Sequence, residues 1–241
     1  MLTGELKFVR DNIDNPTWVL MYRLKWMQLD DIIKLKNLKI LDFGSGFGIT
    51  ANYLAKDNEV IAIEAREDCI EERILENNYT QIQGKSEKLK DFEDGSFDVI
   101  ICHNVLEFNP EERCEIVKEF SRLLKAGGIL SIIKNNGPGR IVSLVIVNND
   151  IDKAVNLLEG GSNANVFGEV VLYEPEELVK WSDNLKIEKI LSARTFSGLQ
   201  PDKVKQEPDW MDKMLKIEMR VADMEPYKSI ALFHHVLLRK I

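Results

Sequence analysis

The segment Lys39-Ile40-Leu41-Asp42-Phe43-Gly44-Ser45-Gly46-Phe47-Gly48 constrains the fold of this chain more than any other. A short apolar run of strand character is broken at once by glycines at alternate positions, and residues 49–56 then read as a helix. Glycines let the backbone turn tightly and pass close to a ligand at the point where strand becomes helix. The strand and helix alternation then repeats. Val60-Ile61-Ala62-Ile63-Glu64 is a second buried strand, residues 67–77 read as a helix, and Phe97-Asp98-Val99-Ile100-Ile101-Cys102 follows the turn Glu93-Asp94-Gly95-Ser96. Residues 111–125 place Cys114, Val117, Phe120 and Leu124 on one helical face, Ala126-Gly127-Gly128 stops that helix, and residues 129–133 begin a fifth strand. Such an order predicts an α/β, Rossmann-like fold: a mostly parallel seven-stranded sheet, helices on both faces, and ligands beyond the carboxyl ends of the strands.

The flanks complete a single domain spanning 1–241. An N-terminal segment (1–36) carries an amphipathic helix over residues 18–35, with Trp18, Met21, Tyr22, Leu24, Trp26, Leu29, Ile32 and Ile33 at mostly helical spacing. The core covers 37–136. Gly137-Pro138-Gly139 opens an insertion over 137–172, interrupted by Gly160-Gly161-Ser162-Asn163, which reads as a cap after the fifth strand. Residues 173–241 return to the sheet, with a strand over 185–196, a helix over 210–222 and a last strand over 229–239. With 241 residues and 44% hydrophobic composition the chain buries a full core without a second domain. Its longest apolar stretch, 141–147, is far below the roughly 20 residues that cross a bilayer, so a cytoplasmic protein without membrane association is expected. Three cysteines without CxxC spacing and three histidines complete no metal pattern, so no metal is expected. A formal charge of -8 argues against a broad electrostatic footprint for nucleic acid.

In a dinucleotide fingerprint the third glycine comes three residues after the second; here Ile49 holds that place and the glycine is Gly48, a departure that favours S-adenosylmethionine (SAM) over NAD. Glu64 ends the second strand, where a carboxylate can accept hydrogen bonds from both ribose hydroxyls. A solvated carboxylate at a helix start is the plain alternative. Gln83-Gly84-Lys85-Ser86-Glu87 falls at the end of the third strand and Cys102-His103-Asn104 at the end of the fourth, on the same rim. An isolated histidine is more often a cap or core residue; its place at a strand end reverses that expectation.

Together, Ile40 to Gly48, Glu64, Asp94-Gly95-Ser96-Phe97-Asp98-Val99-Ile100 and Leu124-Lys125-Ala126-Gly127-Gly128-Ile129-Leu130 closely resemble the class I SAM-dependent methyltransferase superfamily. Within it, His103-Asn104-Val105-Leu106-Glu107-Phe108 and Gly127-Gly128-Ile129-Leu130-Ser131 look like the tRNA 5-carboxymethoxyuridine methyltransferase family, which esterifies a carboxylate on wobble uridine. Sparser matches at Asn12-Ile13, Trp26, Leu29, Asp30, Arg194, Phe196 and Glu225-Pro226-Tyr227 extend it over nearly the whole chain. The resemblance implies SAM contacts from Gly44, Ser45, Glu64, Ser86, Glu87 and His103, beside Asp42 and Gly46 of the turn. Two positions depart from the family. Glu64 stands where the family has aspartate, and Met21 stands where it has a SAM-contacting arginine, which leaves Arg23, two positions on, as a substitute through a shifted register.

Methyl transfer from a sulfonium is an in-line displacement that requires no universal catalytic residue, so the catalytic set stays open. Substrate-side candidates are Arg194 first, then Arg140, as bidentate partners of a carboxylate, with Asn135 and Asn136 at the end of the fifth strand. Trp18, Trp26 and Trp210 are base-stacking candidates whose plainer role is core packing. His234-His235 sits in the last strand, where alternation turns one ring inward. Three readings follow. A methyltransferase for a carboxylate on a tRNA base leads, with SAM and S-adenosylhomocysteine (SAH) as ligands and tRNA as partner. A small-molecule methyltransferase comes second, and a non-catalytic SAM-binding or interaction protein third.

Overall fold

Apolar strands buried on both faces dominate the centre of this chain, and such strands are stable only between two helical layers. A computed structural model describes residues 2, 4–161, 163–165 and 168–241; Ser162 lies outside the described residues. The elements are α1 (Gly4–Asp11), α2 (Pro16–Asp30), β1 (Lys39–Phe43), α3 (Ile49–Leu54), β2 (Glu59–Glu64), α4 (Glu67–Glu71), β3 (Thr80–Gln83), β4 (Phe97–His103), α5 (Arg113–Leu123), β5 (Leu124–Asn135), α6 (Gly137–Ile146), α7 (Ile151–Leu158), β6 (Asn163–Asn165), β7 (Gly168–Val170), α8 (Glu177–Trp181), β8 (Leu185–Ala193), α9 (Trp210–Val221), α10 (Tyr227–Ile230) and β9 (Phe233–Lys240). Among the described residues, seven strands form one sheet in the order β3-β2-β1-β4-β5-β9-β8, with β9 antiparallel to both of its neighbours and the other adjacent pairs parallel. This is the expected Rossmann-like class. Among the described residues, no helix is long and apolar enough to cross a membrane.

Two apolar layers sandwich the sheet. On one face Leu41, Phe43, Ile100 and Leu130 pack with Val117 and Phe120 of α5; on the other Ile40, Val99 and Ile101 pack with Leu29 of α2 and Ala51 and Leu54 of α3. Register is set by β1, whose Ile40, Leu41 and Asp42 lie beside Val60, Ile61 and Ala62 of β2 and Val99, Ile100 and Ile101 of β4. That alignment brings the carboxyl ends of three strands level, and the cavity opens above them.

Several boundaries differ from the sequence reading. The helix expected over 67–77 stops at Glu71, because Asn52 Oδ1 accepts the Glu76 and Asn77 amides and holds that stretch as a loop. The fifth strand starts at Leu124, directly after α5, since Leu124 already pairs with Phe97 before a register shift readmits Ile129 opposite Val99. An additional N-terminal helix, α1, lays Leu6 against Phe47 and Cys69. In the cap, Gly139 sits against the Ala231–Leu232 backbone: a Cβ there would come within 1.9 Å of the Ala231 carbonyl oxygen, so only glycine seats α6 this closely.

The strand expected over 185–196 ends at Ala193, where Arg194 adopts φ 61° and turns the chain. Glu218 of α9, fully buried, gathers the amides of Thr195, Phe196 and Ser197 at 2.9, 3.0 and 3.0 Å. Removing it orphans three buried donors at once. Glu218→Ala is expected to lower the unfolding free energy by about 3–5 kcal/mol, measured by urea denaturation; a loss under about 1 kcal/mol would show that the turn does not depend on this carboxylate.

Candidate functional site

The glycine turn works through the residues behind it. Gly46 has φ 54° with open space where a Cβ would stand, and Gly48, φ 69°, has the Tyr79 hydroxyl 2.1 Å from its notional Cβ. Glu64 holds the turn from the next strand: its Oε2 accepts the Gly46 amide at 2.7 Å and its Oε1 the Arg66 amide at 2.9 Å. Each oxygen keeps further lone pairs for a ribose diol.

A cavity of about 530 Å³ extends from this turn across the strand ends. That size is ordinary for a cofactor or small-ligand site. Asp42, Gly44, Ser45, Gly46, Glu64, Ser86 and His103 line it, as do Asn135, Arg140 and Arg194 at the far end. Three other candidates are not brought there. Glu87 is used locally, its Oε1 accepting the Lys85 amide at 3.0 Å. Asn136 points away, its amide donating to the Ser229 and Ala231 carbonyls at 2.8 Å each, because neighbouring residues beyond a strand end cannot both face the cavity. Arg23 lies on the outer face of α2 with Asp212 at 3.8 Å.

The cation that reaches the cavity from α2 is Lys25. Two positions on a helix are about 200° apart, so Arg23 and Lys25 face opposite ways, whereas Trp18, Tyr22 and Lys25 share one face and all line the cavity. Lys25 is 5% exposed, and its Nζ lies 4.2 Å from the Tyr22 ring centroid. Burial pulls this ammonium down to about 8, with Asp42 opposing the shift; burial pushes the Asp42 carboxyl up to about 7, with Lys25 opposing it and Glu64 adding to it. The signal for Lys25 in the sequence was a lysine at the same helical phase as aromatic core positions.

The far end is cationic. Arg194 stacks over Phe233, its guanidinium carbon 5.9 Å from the ring centroid, and Nε of both Arg194 and Arg140 is buried without a protein partner. Asn135 is clamped by Glu107, whose Oε1 accepts the Asn135 backbone and side-chain amides at 2.6 and 3.2 Å. Burial pushes the Glu107 carboxyl up.

Comparison with known proteins adds the chemistry. Residues 41–132 match the family model described as methyltransferase domain. Residues 41–132 thus carry a methyltransferase domain. The chain is 22% identical over 250 residues to the tRNA 5-carboxymethoxyuridine methyltransferase of Escherichia coli strain K12, covering 97% of this chain and 93% of that one. It is 27% identical over 168 residues to the ubiquinone biosynthesis O-methyltransferase of Leptothrix cholodnii, covering 66% and 67% of the two chains. Its fold is similar to the plantazolicin methyltransferase BamL, solved in complex with a triazolic desmethylPZN analog and SAH, with a TM-score of 0.60, 12% identity, and 98% and 90% coverage.

The residues of this methyltransferase domain fit SAM. Asp42 Oδ2 and Ser45 Oγ are buried beside the glycine turn with no protein partner, and Lys25 and Asp42, opposite charges within electrostatic reach of each other, suit a zwitterionic amino-acid group. Lys25 would hold its carboxylate, Asp42 its ammonium and Glu64 the ribose.

Two expectations follow. Glu64→Ala is expected to weaken SAM binding by about 1.5–3 kcal/mol in calorimetry, and unchanged affinity would remove Glu64 from the cofactor site. The folded-state value of Asp42 lies above the ordinary value of about 4, so ionised Asp42 destabilises the fold at pH 8 and that penalty disappears as the pH falls from about 7 towards 4. Asp42→Asn should therefore melt above the parent at pH 8, lose that advantage by about pH 4, and bind SAM more weakly; a melting difference independent of pH would contradict a buried charge at this position.

Proposed function

We propose that this methyltransferase transfers the methyl group of SAM to the oxygen of an anionic acceptor, a carboxylate on a modified tRNA wobble uridine. The observation that carries this reading is the arginine pair at the far end of the cavity. Arg140 and Arg194 present guanidinium groups whose Nε atoms have no protein partner, and burial pulls both down from their ordinary range. Two desolvated cations beside each other are retained where an anion completes them. In a chain of formal charge -8 the cavity is lined by five cationic side chains, Lys25, Arg66, Lys85, Arg140 and Arg194, against three carboxylates, Asp42, Glu64 and Glu112. The similarity to the tRNA methyltransferase across 97% of this chain supports the same class of acceptor.

Bound SAM supplies an electrophilic methyl group on a sulfonium. The protein then has to place a nucleophile in line and keep water out. A carboxylate is ionised at neutral pH, its ordinary value being about 4, and needs no base; the arginines orient it while Glu107 keeps Asn135 rigid beside it.

A small-molecule acceptor is the second reading, favoured by the apolar walls that Trp18, Tyr22, Phe108, Val170 and Phe233 put around the same cavity and supported by the similarity to the ubiquinone pathway O-methyltransferase. A non-catalytic SAM-binding protein would have a blocked acceptor channel. The cavity instead runs without a break from Gly46 to Arg194.

The test is methyl transfer to tRNA bearing 5-carboxymethoxyuridine, run beside a panel of small carboxylic acids and phenols. Turnover of the tRNA is expected. Arg194→Ala should lower kcat/KM for it by about 10- to 100-fold, from loss of a charged hydrogen bond of about 1.5–3 kcal/mol, while sparing SAH affinity. Turnover of phenols alone would overturn the carboxylate reading, and turnover of small acids without tRNA would replace its acceptor.

A further inference from the structure

Glu107 does more to Asn135 than hold it still. It is fully buried just after β4, and a single oxygen, Oε1, accepts both the backbone amide of Asn135 at 2.6 Å and its side-chain amide at 3.2 Å. An oxygen that takes the backbone N–H is an acceptor, so the side-chain nitrogen of Asn135 must face Glu107 and Oδ1 must face elsewhere. This order is the same in either ionisation state of Glu107. Its other oxygen, Oε2, is buried without a partner, and a proton carried there leaves Oε1 accepting both bonds. Asn135 is half-buried on the cavity wall, and among the described residues no donor meets its Oδ1, which is not one of the buried atoms left without a partner. The side chain therefore turns a bare carbonyl oxygen towards the open space of the cavity.

The sheet fixes where that oxygen stands. Asn135 pairs with Phe233 across β5 and β9, and Phe233 pairs with Ala193 across β9 and β8. Paired residues point to the same face, and Asn135 and Phe233 both line the cavity. Arg194, next along the chain from Ala193, carries its guanidinium over the Phe233 ring. The row from Asn135 to Ala193 crosses two strand spacings, about 10 Å. One side of the acceptor region thus offers a guanidinium to an anion, and the other a neutral oxygen that repels an anion and calls for an N–H or O–H. A simple carboxylate satisfies only the first. A planar ring with an acid on a short arm and an imide N–H on its far edge has the reach to satisfy both.

We propose that Asn135 is a specificity-determining residue that accepts a hydrogen bond from the imide N3–H of the acceptor's uracil ring, and that Glu107 is the positioning residue that fixes the Asn135 amide for it. This rests on the reading that the acceptor is a modified uridine, and it names the group by which the ring is read. A cytosine ring has a bare nitrogen at the same place and would set lone pair against lone pair, so the arrangement selects uracil. A site built around such a bond discriminates chiefly because an acceptor shut off from water is costly to leave unpaired.

The test compares kcat/KM for three short anticodon-loop RNAs bearing 5-carboxymethoxyuridine: one without further change, one methylated at N3, and one with a 2′-deoxyribose at that nucleotide. The parent protein should favour the N3–H RNA over the N3-methyl RNA by about 10-fold or more, and should treat the 2′-deoxy RNA like the first. In Asn135→Leu, close in volume, the N3 preference should shrink by about fivefold or more, leaving only the bulk of the added methyl. Glu107→Gln keeps an oxygen for both Asn135 donors and should retain the parent's preference, whereas Glu107→Met frees the amide to turn and should lose it. Each preference is a ratio within one protein, so losses of folded fraction or of SAM binding cancel. A parent N3 preference within twofold of unity, an undiminished preference in Asn135→Leu, or discrimination by the 2′-hydroxyl in place of N3 would overturn the proposal; equal losses in Glu107→Gln and Glu107→Met would overturn the role of Glu107. If the parent turns over none of the three RNAs, the wobble-uridine reading has failed and this one falls with it, whereas equal turnover with and without the N3 methyl overturns this one alone.

Discussion

The site stands on one carboxylate. Glu64 ends β2, crosses to the glycine turn after β1 and accepts the Gly46 amide, while its second oxygen takes the Arg66 amide. Parallel strands share no hairpin, so their ends have no local reason to stay level; this bridge ties the end of β2 to the turn after β1. It acts together with the Gly44 and Ser45 amides, which donate to the Ile63 carbonyl at 2.8 and 3.0 Å, to hold the turn at the edge of the cavity. Glutamate suits the task through its length: it reaches the turn and still has lone pairs directed at a diol.

Charge is distributed against the average of the chain. The acidic total resides on the surface, in helix faces and loops, whereas the cavity collects Lys25, Arg140 and Arg194 from an N-terminal helix, the cap and a strand end. Each is desolvated, and each has an uncharged neighbour that helps to place it: the Tyr22 ring beside Lys25, the Phe233 ring beneath Arg194, the glycine seat of α6 behind Arg140. Such an arrangement sacrifices some stability of the empty fold and favours anionic ligands.

Local sequence determined the fold class and the central turn. Apolar runs of strand length, glycines at 44, 46 and 48, and helical periodicity in residues 111–125 each act over a few residues, so propensity and pattern suffice to read them. It also placed Asp42, Glu64 and His103 at strand ends, and those residues line the cavity because strand ends of a parallel sheet converge on one rim. Tertiary structure alone decided the rest. Whether Arg23 or Lys25 faces inward depends on the roll of α2 against β8 and α9, a packing outcome. Asn135 and Asn136 part company because β5 ends at Asn135 and Asn136 already leads into α6, and Glu87 is consumed by its own turn. Buried Gln28 meets His235, 207 positions away, at 2.8 Å and donates to the Ser192 carbonyl at 2.9 Å, contacts that no local pattern announces. Periodicity gives each residue a face; which faces meet is set by long-range packing.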